Sequence, residues 1–209
     1  MTTPETTVYV VDDDASVLKS LTRLLRAARY KVQTFSSGRD FLAQPLTTGP
    51  ACLVLDVRMP GITGLELQEA LAARPRPLPI VFISGHGDIP MSVRAMKAGA
   101  VDFLTKPYGA NDLLDAVRRA IDKDVSDQGD RVRALEIQQR LTNLTRREAE
   151  VFGLVVTGRL NKQIAWELGI SEKTVKVHRA RVMEKMRAES VADLVRMSQA
   201  VRPPSHRTA

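Results

Sequence analysis

The sequence predicts an α/β fold, a five-stranded parallel sheet doubly wound with helices, followed by a small all-α domain of four helices. Two patterns and a break between them carry this. Apolar, β-branched runs alternate five times with helical periodicity between Thr7 and Ile121. From Leu141 the period is helical only. Between them lies a charged stretch, Asp122–Gln139, with one glycine (Gly129) and no proline.

The first strand is Thr7–Val11. The helix Ala15–Ala28 follows, with Val17, Leu21, Leu24 and Leu25 on one side. Val32–Phe35 is a second strand, followed by a short helix near Arg39–Ala43. Cys52–Leu55 is a third, with a helix from about Leu65 to Ala72. Ile80–Ile83 is a fourth, with a helix around Met91–Ala98. Val101–Leu104 is a fifth, with a helix from Asn111 to about Ile121. Five such units imply a parallel sheet covered on both faces. Right-handed crossovers then favour a flavodoxin-like strand order. One position is unusual: Arg29, after the first helix, where a left-handed glycine would be at ease, implies a different cap or mild strain.

The connection either continues the fifth helix, spanning roughly 27 Å, or is a flexible tether. Beyond it, Thr145-Arg146-Arg147-Glu148 reads as a capping box, with Thr145 as N-cap and Glu148 reaching back. That helix runs to about Thr157 and stops at Gly158, a left-handed cap. Asn161 caps a second helix through Leu168, and Gly169-Ile170 makes a tight turn. Ser171 caps a third helix, Glu172–Met186, and a fourth begins near Ser190. Arg202–Ala209 holds two prolines and reads as a disordered tail. The expected division is a domain at 5–122, a linker at 123–140, a helical domain at 141–201 and the tail at 202–209.

Composition narrows the function classes. Cys52 is the only cysteine, so no intrachain disulfide can form, which suits a reducing cytoplasm. Met1-Thr2-Thr3-Pro4-Glu5 lacks the basic start and apolar core expected of a signal peptide, and no apolar run approaches membrane-spanning length. The expectation is a cytoplasmic protein without membrane contact. Residues 1–122 are near neutral, with 14 basic and 13 acidic side chains, whereas 123–209 carry 17 basic and 11 acidic. The basic half suggests a polyanionic partner.

Four short stretches carry the chemistry: Val11-Asp12-Asp13-Asp14, Leu55-Asp56-Val57-Arg58-Met59-Pro60-Gly61, Ile83-Ser84-Gly85-His86-Gly87 and Lys106-Pro107. Each follows a predicted strand, so carboxylates, a hydroxyl and an ammonium emerge at strand ends, where a parallel sheet gathers its site. Clustered carboxylates repel unless a hard cation neutralises them, and Mg²⁺ or Mn²⁺ takes such oxygen ligands. This set suits capture of a phosphoryl group on an aspartate. Taken singly, Asp14 reads better as a helix N-cap than as a ligand, Asp12 as a loop acid, Ser84 as a turn residue and Lys106 as a surface lysine.

On these stretches, residues 7–121 resemble the receiver domain of bacterial response regulators. Ser84–Ala100, with His86-Gly87-Asp88-Ile89-Pro90, and the rest of the chain resemble the FixJ branch of the NarL/FixJ/LuxR-type regulators. The resemblance implies that Asp56 is the phosphoacceptor. It implies that Asp13 binds the metal directly, that Asp12 assists through water, and that the Arg58 carbonyl is a further ligand. Lys106 would contact a phosphoryl oxygen, with Lys106-Pro107 as the family's cis peptide. Ser84 would hydrogen-bond the phosphoryl group, and Phe103 would turn inward as the switch aromatic, its alternative being simple core packing. In FixJ-type receivers the fourth helix and fifth strand form a symmetric dimer face. Here that face would hold Met91, Val93, Arg94, Lys97, Val101 and Asp102, with Lys97 and Asp102 pairing across the two-fold axis.

Residues 141–200 resemble the LuxR-type four-helix DNA-binding domain. The match rests on Leu144-Thr145-Arg146-Arg147-Glu148, Asn161-Lys162-Gln163-Ile164-Ala165 and Leu168-Gly169-Ile170-Ser171-Glu172-Lys173-Thr174-Val175-Lys176-Val177-His178. The third helix is then the recognition helix. At helical spacing Val175, Val182 and Met186 share a core stripe, with His178 at its edge as a packed, hydrogen-bonded residue. Lys173, Lys176, Val177, Ala180 and Arg187 face the other way, a mixture suited to guanine acceptors and thymine methyls in the major groove. Thr174, Arg181, Lys185 and Lys162 flank that face as phosphate contacts. Trp166 fits neither stripe and reads as partly exposed.

The resemblance further implies a sensor histidine kinase as phosphodonor, double-stranded promoter DNA as target, a phosphorylation-dependent homodimer, and RNA polymerase as a further contact, with activation as the usual output. Two other readings stand beside it. An aspartyl-phosphate phosphatase or mutase also uses a nucleophilic Asp with Mg²⁺, but typically has a second acid two residues later, where this chain has Arg58. A constitutive DNA-binding protein with an unused receiver is the other, and the full set of acids with the lysine argues against it.

Overall fold

The computed structural model describes residues 5–85 and 89–201. His86, Gly87 and Asp88 of the FixJ-like stretch, the first four residues and the tail 202–209 lie outside the described residues. The chain divides into two compact units, 1–127 and 128–209.

The first unit alternates strand and helix: β1 (Thr7–Val11), α1 (Ala15–Ala27), β2 (Lys31–Phe35), α2 (Gly38–Ala43), β3 (Ala51–Asp56), α3 (Gly64–Ala72), β4 (Ile80–Ser84), α4 (Ile89–Lys97), β5 (Asp102–Thr105) and the start of α5 (Ala110–Thr142). The strands pair parallel in the order β2-β1-β3-β4-β5. That is the flavodoxin-like order expected from the alternation.

The side-chain alternation of the strands builds two cores. Val8 and Val10 of β1, Cys52 and Val54 of β3, and Val81 and Ile83 of β4 point to one face. There Leu21 and Leu25 of α1 and Leu113, Ala116, Val117 and Ala120 of α5 cover them. Tyr9, Val11, Leu53, Leu55 and Phe82 point the other way, against Phe41 of α2, Leu67 and Leu71 of α3 and Ala95 of α4. β1, β3 and β4 are buried along their whole length, as parallel strands with both faces covered must be, while the edge strand β2 is only partly buried. Arg29 adopts φ +67°, the left-handed geometry expected to strain a residue with a Cβ.

The charged connection is helical. α5 runs unbroken to Thr142, so 123–140 takes the first of its two alternatives and continues the fifth helix. Its early part belongs to the first unit through Asp124, which is fully buried although acidic. The Asp124 carboxylate accepts from the Ala51 amide at 2.9 Å and from Arg76 Nη2 at 2.7 Å. Arg76 also donates to the carbonyl oxygens of Thr47 and Gly49. A buried charge persists only with such partners. Neither partner is near Asp124 in the sequence.

The second unit holds the rest of α5 and α6 (Arg146–Val156), α7 (Asn161–Leu168), α8 (Glu172–Met186) and α9 (Val191–Val201). Its core gathers Ile137, Val151, Val155, Ile164, Val175, Val182, Met186 and Leu194. Thr145 and Glu148 form the expected capping box, and Gly158 and Gly169 take positive φ at helix ends. One cap differs. Leu160, not Asn161, is the N-cap of α7, and its amide donates to Gln163 Oε1 at 2.9 Å. Asn161 is the first helical residue, and its Oδ1 accepts from Arg179 Nη1 at 2.7 Å. Asn161 thus ties α7 to α8 instead of capping α7.

Candidate functional site

Because the strands are parallel, the residues after β1, β3, β4 and β5 meet at one edge of the sheet. β1 delivers Asp12, β3 ends on Asp56, β4 ends on Ser84, and β5 leads into Lys106. The Lys106 amide donates to the Ser84 carbonyl at 2.7 Å, and the Lys106–Pro107 bond is cis. The Lys106 ammonium then bridges two acids, 2.8 Å from Asp12 Oδ2 and 2.9 Å from Asp56 Oδ1.

The remaining carboxylate oxygens take backbone donors. Asp56 Oδ2 accepts from the Arg58 amide at 2.7 Å, and Asp12 Oδ1 from the Asp14 amide at 2.9 Å. Burial raises the pKa of Asp56, and the Lys106 hydrogen bond opposes that rise. Burial also weighs on Lys106, but its bonds to Asp12 and Asp56 outweigh it and hold the ammonium above its ordinary range. The result is a nearly buried Asp56 carboxylate that shares its one cation with Asp12.

The other acids divide by exposure. Asp12 is buried and Asp13 is exposed. Asp14 serves as the N-cap of α1, accepting from the Ser16 amide at 2.7 Å, which lowers its pKa. Arg58 is exposed. Among the described residues no three acidic, His or Cys side chains are gathered closely enough to enclose a metal ion. The donors that are present are oxygens on two strand ends, and an ammonium already sits between two of them. In kind this donor set fits a hard divalent cation.

Ser84 is buried, and β4–β5 register sets it opposite Thr105. Phe103 is half-buried, with its ring centroid 6.1 Å from that of Phe82. Sequence reading missed Gly64. A Cβ there would press into the Asp56 carbonyl oxygen and lie 3.0 Å from Val57 Cα. Only glycine lets α3 start this close to the strand end that carries Asp56.

On the proposed pairing face, Val93, Arg94 and Lys97 are exposed on α4, as are Ile89 and Met96, which sequence reading did not include. Met91 is only partly exposed and packs against the sheet core near Ala95. Arg94 pairs with Glu69 at 3.0 Å. Asp102 is engaged within its own chain, by the Arg119 guanidinium on α5 and by the Phe103 amide at 2.8 Å. The Lys97–Asp102 pairing therefore has an internal competitor that no local pattern announces.

In the second unit Val175, Val182 and Met186 are fully buried. Lys173, Lys176, Val177, Ala180, Arg181 and Lys162 are exposed. Arg187 is exposed too, but as the left-handed C-cap of α8. Thr174 is half-buried, its hydroxyl 2.8 Å from that of Ser171. Lys185 is redirected. Its ammonium lies 2.6 Å from Glu148 Oε2 and 3.2 Å from the Asn143 carbonyl, so it holds the domain together instead of presenting a free charge. That bond, with the Thr145 amide, pulls the buried Glu148 carboxyl down to a pKa of about 2. His178 packs as expected, but its buried Nδ1 has no hydrogen-bond partner among the described residues. Trp166 is 87% exposed, beside Arg159, Lys162, Gln163 and Glu167. No described helix is long and apolar enough to cross a membrane.

Two family descriptions match the chain: "Response regulator receiver domain" over residues 8–118, and "Bacterial regulatory proteins, luxR family" over 142–198. The chain is 49% identical over 192 residues to Nodulation protein W of Bradyrhizobium diazoefficiens, covering 92% of this chain and 85% of that protein. It is 44% identical over 192 residues to the transcriptional regulatory protein FixJ of Rhizobium meliloti, covering 92% and 94%. Among solved structures, that of response regulator StyR superposes with a TM-score of 0.73 at 48% identity, covering 93% of this chain and 98% of that one.

Proposed function

The chain belongs to the two-component response regulators that join a receiver domain to a LuxR-type DNA-binding domain, and from that footing we propose a phosphorylation-driven transcription factor with Asp56 as the acceptor. One observation carries the reading: Lys106 bridges the two buried acids Asp12 and Asp56 at the sheet edge, and of the two it is Asp56, at the end of β3, that keeps more exposure, 6% against 1%.

In the proposed transfer an Asp56 carboxylate oxygen attacks the phosphorus of a phosphohistidine on a sensor kinase. The P–O bond forms as the P–N bond breaks, and the electron pair stays on the imidazole nitrogen, which takes up a proton. Asp12, Asp13, Asp56 and the Arg58 carbonyl would hold Mg²⁺ or Mn²⁺, whose chemistry there is to neutralise the phosphoryl oxygens. Lys106 exchanges its bond to Asp56 for one to a phosphoryl oxygen. The Ser84 hydroxyl donates to another, and Phe103 turns inward as Ser84 moves. The change reaches α4 and β5, where Val93, Arg94, Lys97 and Asp102 join a second copy.

Paired chains present two α8 helices to promoter DNA. Lys173, Lys176, Val177 and Ala180 read base edges, with Thr174, Arg181 and Lys162 on phosphates. Activation through RNA polymerase, in the cytoplasm, completes the reading. The phosphatase or mutase reading gains nothing, because Arg58 stands where a second acid is needed. Incubation with acetyl phosphate and Mg²⁺ followed by a phosphate-affinity gel tests the acceptor. A Mg²⁺-dependent shifted band that Asp56→Asn abolishes is expected; the same band in Asp56→Asn contradicts the assignment.

A further inference from the structure

Two stripes run back to back along the second half of α5. Ile137 and Leu141 face inward to the core of the second unit. About 200° round the helix, two residues away in each case, lie Leu135 and Gln139. They belong to the series Gln128, Val132, Leu135, Gln139 and Thr142. Val132 and Leu135 are 58% and 65% exposed, and Gln139 and Thr142 are exposed as well.

The series steps by four, three, four and three, an average of 3.5 residues. Val132 and Leu135 are its two apolar members, at the spacing of neighbouring core positions in a two-helix seam. In heptad terms Val132 and Gln139 are a positions, and Gln128, Leu135 and Thr142 are d positions. A β-branched residue at a with leucine at d favours two strands.

The flanking charges choose the partner. Arg131 falls at g and Glu136 at the following e. In a parallel, in-register pair each Arg131 faces Glu136 of the other copy, twice by symmetry. An antiparallel pair would set like positions together instead. Among the described residues Arg131 forms no ion pair, and Glu136 has only a loose one, 3.8 Å to Arg140. The surface is therefore self-complementary, and a second copy of this chain is the occupant it fits.

The geometry points to residues 128–142 zipping with the same segment of a second copy as a parallel two-stranded coiled coil. One apolar a layer and one apolar d layer are too few to hold separate chains together. The seam closes only when another interface has raised the local concentration of its partner. It rests in that respect on the phosphorylation-driven dimer proposed above, and it would hold the two DNA-binding units near each other.

The test uses the full chain with Cys52→Ala, which removes its only thiol. Leu135→Cys places a thiol at the seam, and Asp130→Cys places one at an exposed position off it. After phosphorylation with acetyl phosphate and Mg²⁺ and mild oxidation, Leu135→Cys should give at least about tenfold more disulfide-linked dimer than Asp130→Cys, and far more than without phosphate. Arg131→Glu should weaken the phosphorylated dimer, and adding Glu136→Arg should restore it. A phosphorylated dimer seen by light scattering in which the two cysteine variants crosslink equally overturns the seam alone. Equal crosslinking of Leu135→Cys with and without phosphate overturns its dependence on phosphorylation. A phosphorylated protein that stays monomeric overturns the seam and the dimer together.

Discussion

The Lys106 ammonium lies 2.9 Å from Asp56 Oδ1, and it reaches that position although Lys106 and Asp56 are 50 residues apart in the chain. The same ammonium holds Asp12 at 2.8 Å. A point cation placed against the proposed acceptor is in place to meet the charge of an incoming phosphoryl group. Lys106→Met should therefore slow phosphate incorporation from acetyl phosphate, by roughly 10- to 100-fold, with Asp56 still the labelled residue. An unchanged rate would remove Lys106 from the transfer step.

Gly64 sets how closely α3 approaches the Asp56 strand end. Gly64→Ala should destabilise the first unit by about 1–3 kcal/mol, because the added methyl meets backbone that cannot yield cheaply. Gly38→Ala, whose Cβ would have 3.4 Å to the far end of Leu67, is the milder comparison. Thermal melts of the two variants should separate clearly.

Asp124 ties α5 to the start of β3 through the Ala51 amide and Arg76. Asp124→Ala leaves Arg76 facing an empty partner and should cost about 3–5 kcal/mol. Hydrogen exchange at the Ala51 amide should accelerate with it. Normal protection of that amide would show that the bond is dispensable.

Glu148 gives the second unit an acid sensitivity. Its folded pKa is about 2 against an ordinary 4.5. A carboxyl depressed on folding stabilises the fold in full above its unfolded value and loses that stabilisation as pH falls through the folded one. The contribution, up to about 3 kcal/mol, is thus present above about pH 4.5 and fades toward pH 2. Glu148→Gln should abolish it, so the melting difference between wild type and variant should shrink across that window.

Lys162 and Lys185 make a paired test on DNA. Lys162 is exposed and Lys185 is committed to Glu148. Lys162→Ala should lower affinity for all sequences alike and reduce the salt slope by about one. Lys185→Ala should lower the melting temperature of the second unit and leave the salt slope nearly unchanged. Lys176→Ala should relax discrimination between promoter and unrelated DNA.

The sheet, its order and the helix–turn–helix were legible because each rests on local periodicity and on caps within four residues. Val175, Val182 and Met186 fell on one buried stripe from spacing alone. The misreadings share one cause. Lys185 looked like a free phosphate contact because Glu148 lies 37 residues earlier, and Asp102 looked available because Arg119 lies on another element. Asn161 fitted every rule for an N-cap, yet Arg179 claims its side chain and Gln163 supplies the cap. Partners across the fold decide what a polar residue does, and spacing does not record them. Asp124 lay within the charged connection, and nothing local marked it as buried, for the same reason.

The central claim is that phosphate on Asp56 governs DNA binding. Its most direct test is the affinity of full-length protein for a target promoter fragment, at fixed salt, with and without acetyl phosphate and Mg²⁺. Wild type should bind at least about tenfold more tightly when phosphorylated, a coupling of the size usual between two sites, and Asp56→Asn should bind at the weak level under both conditions. Equal affinity of phosphorylated wild type, unphosphorylated wild type and Asp56→Asn would contradict the claim and leave a DNA-binding protein whose receiver is not used.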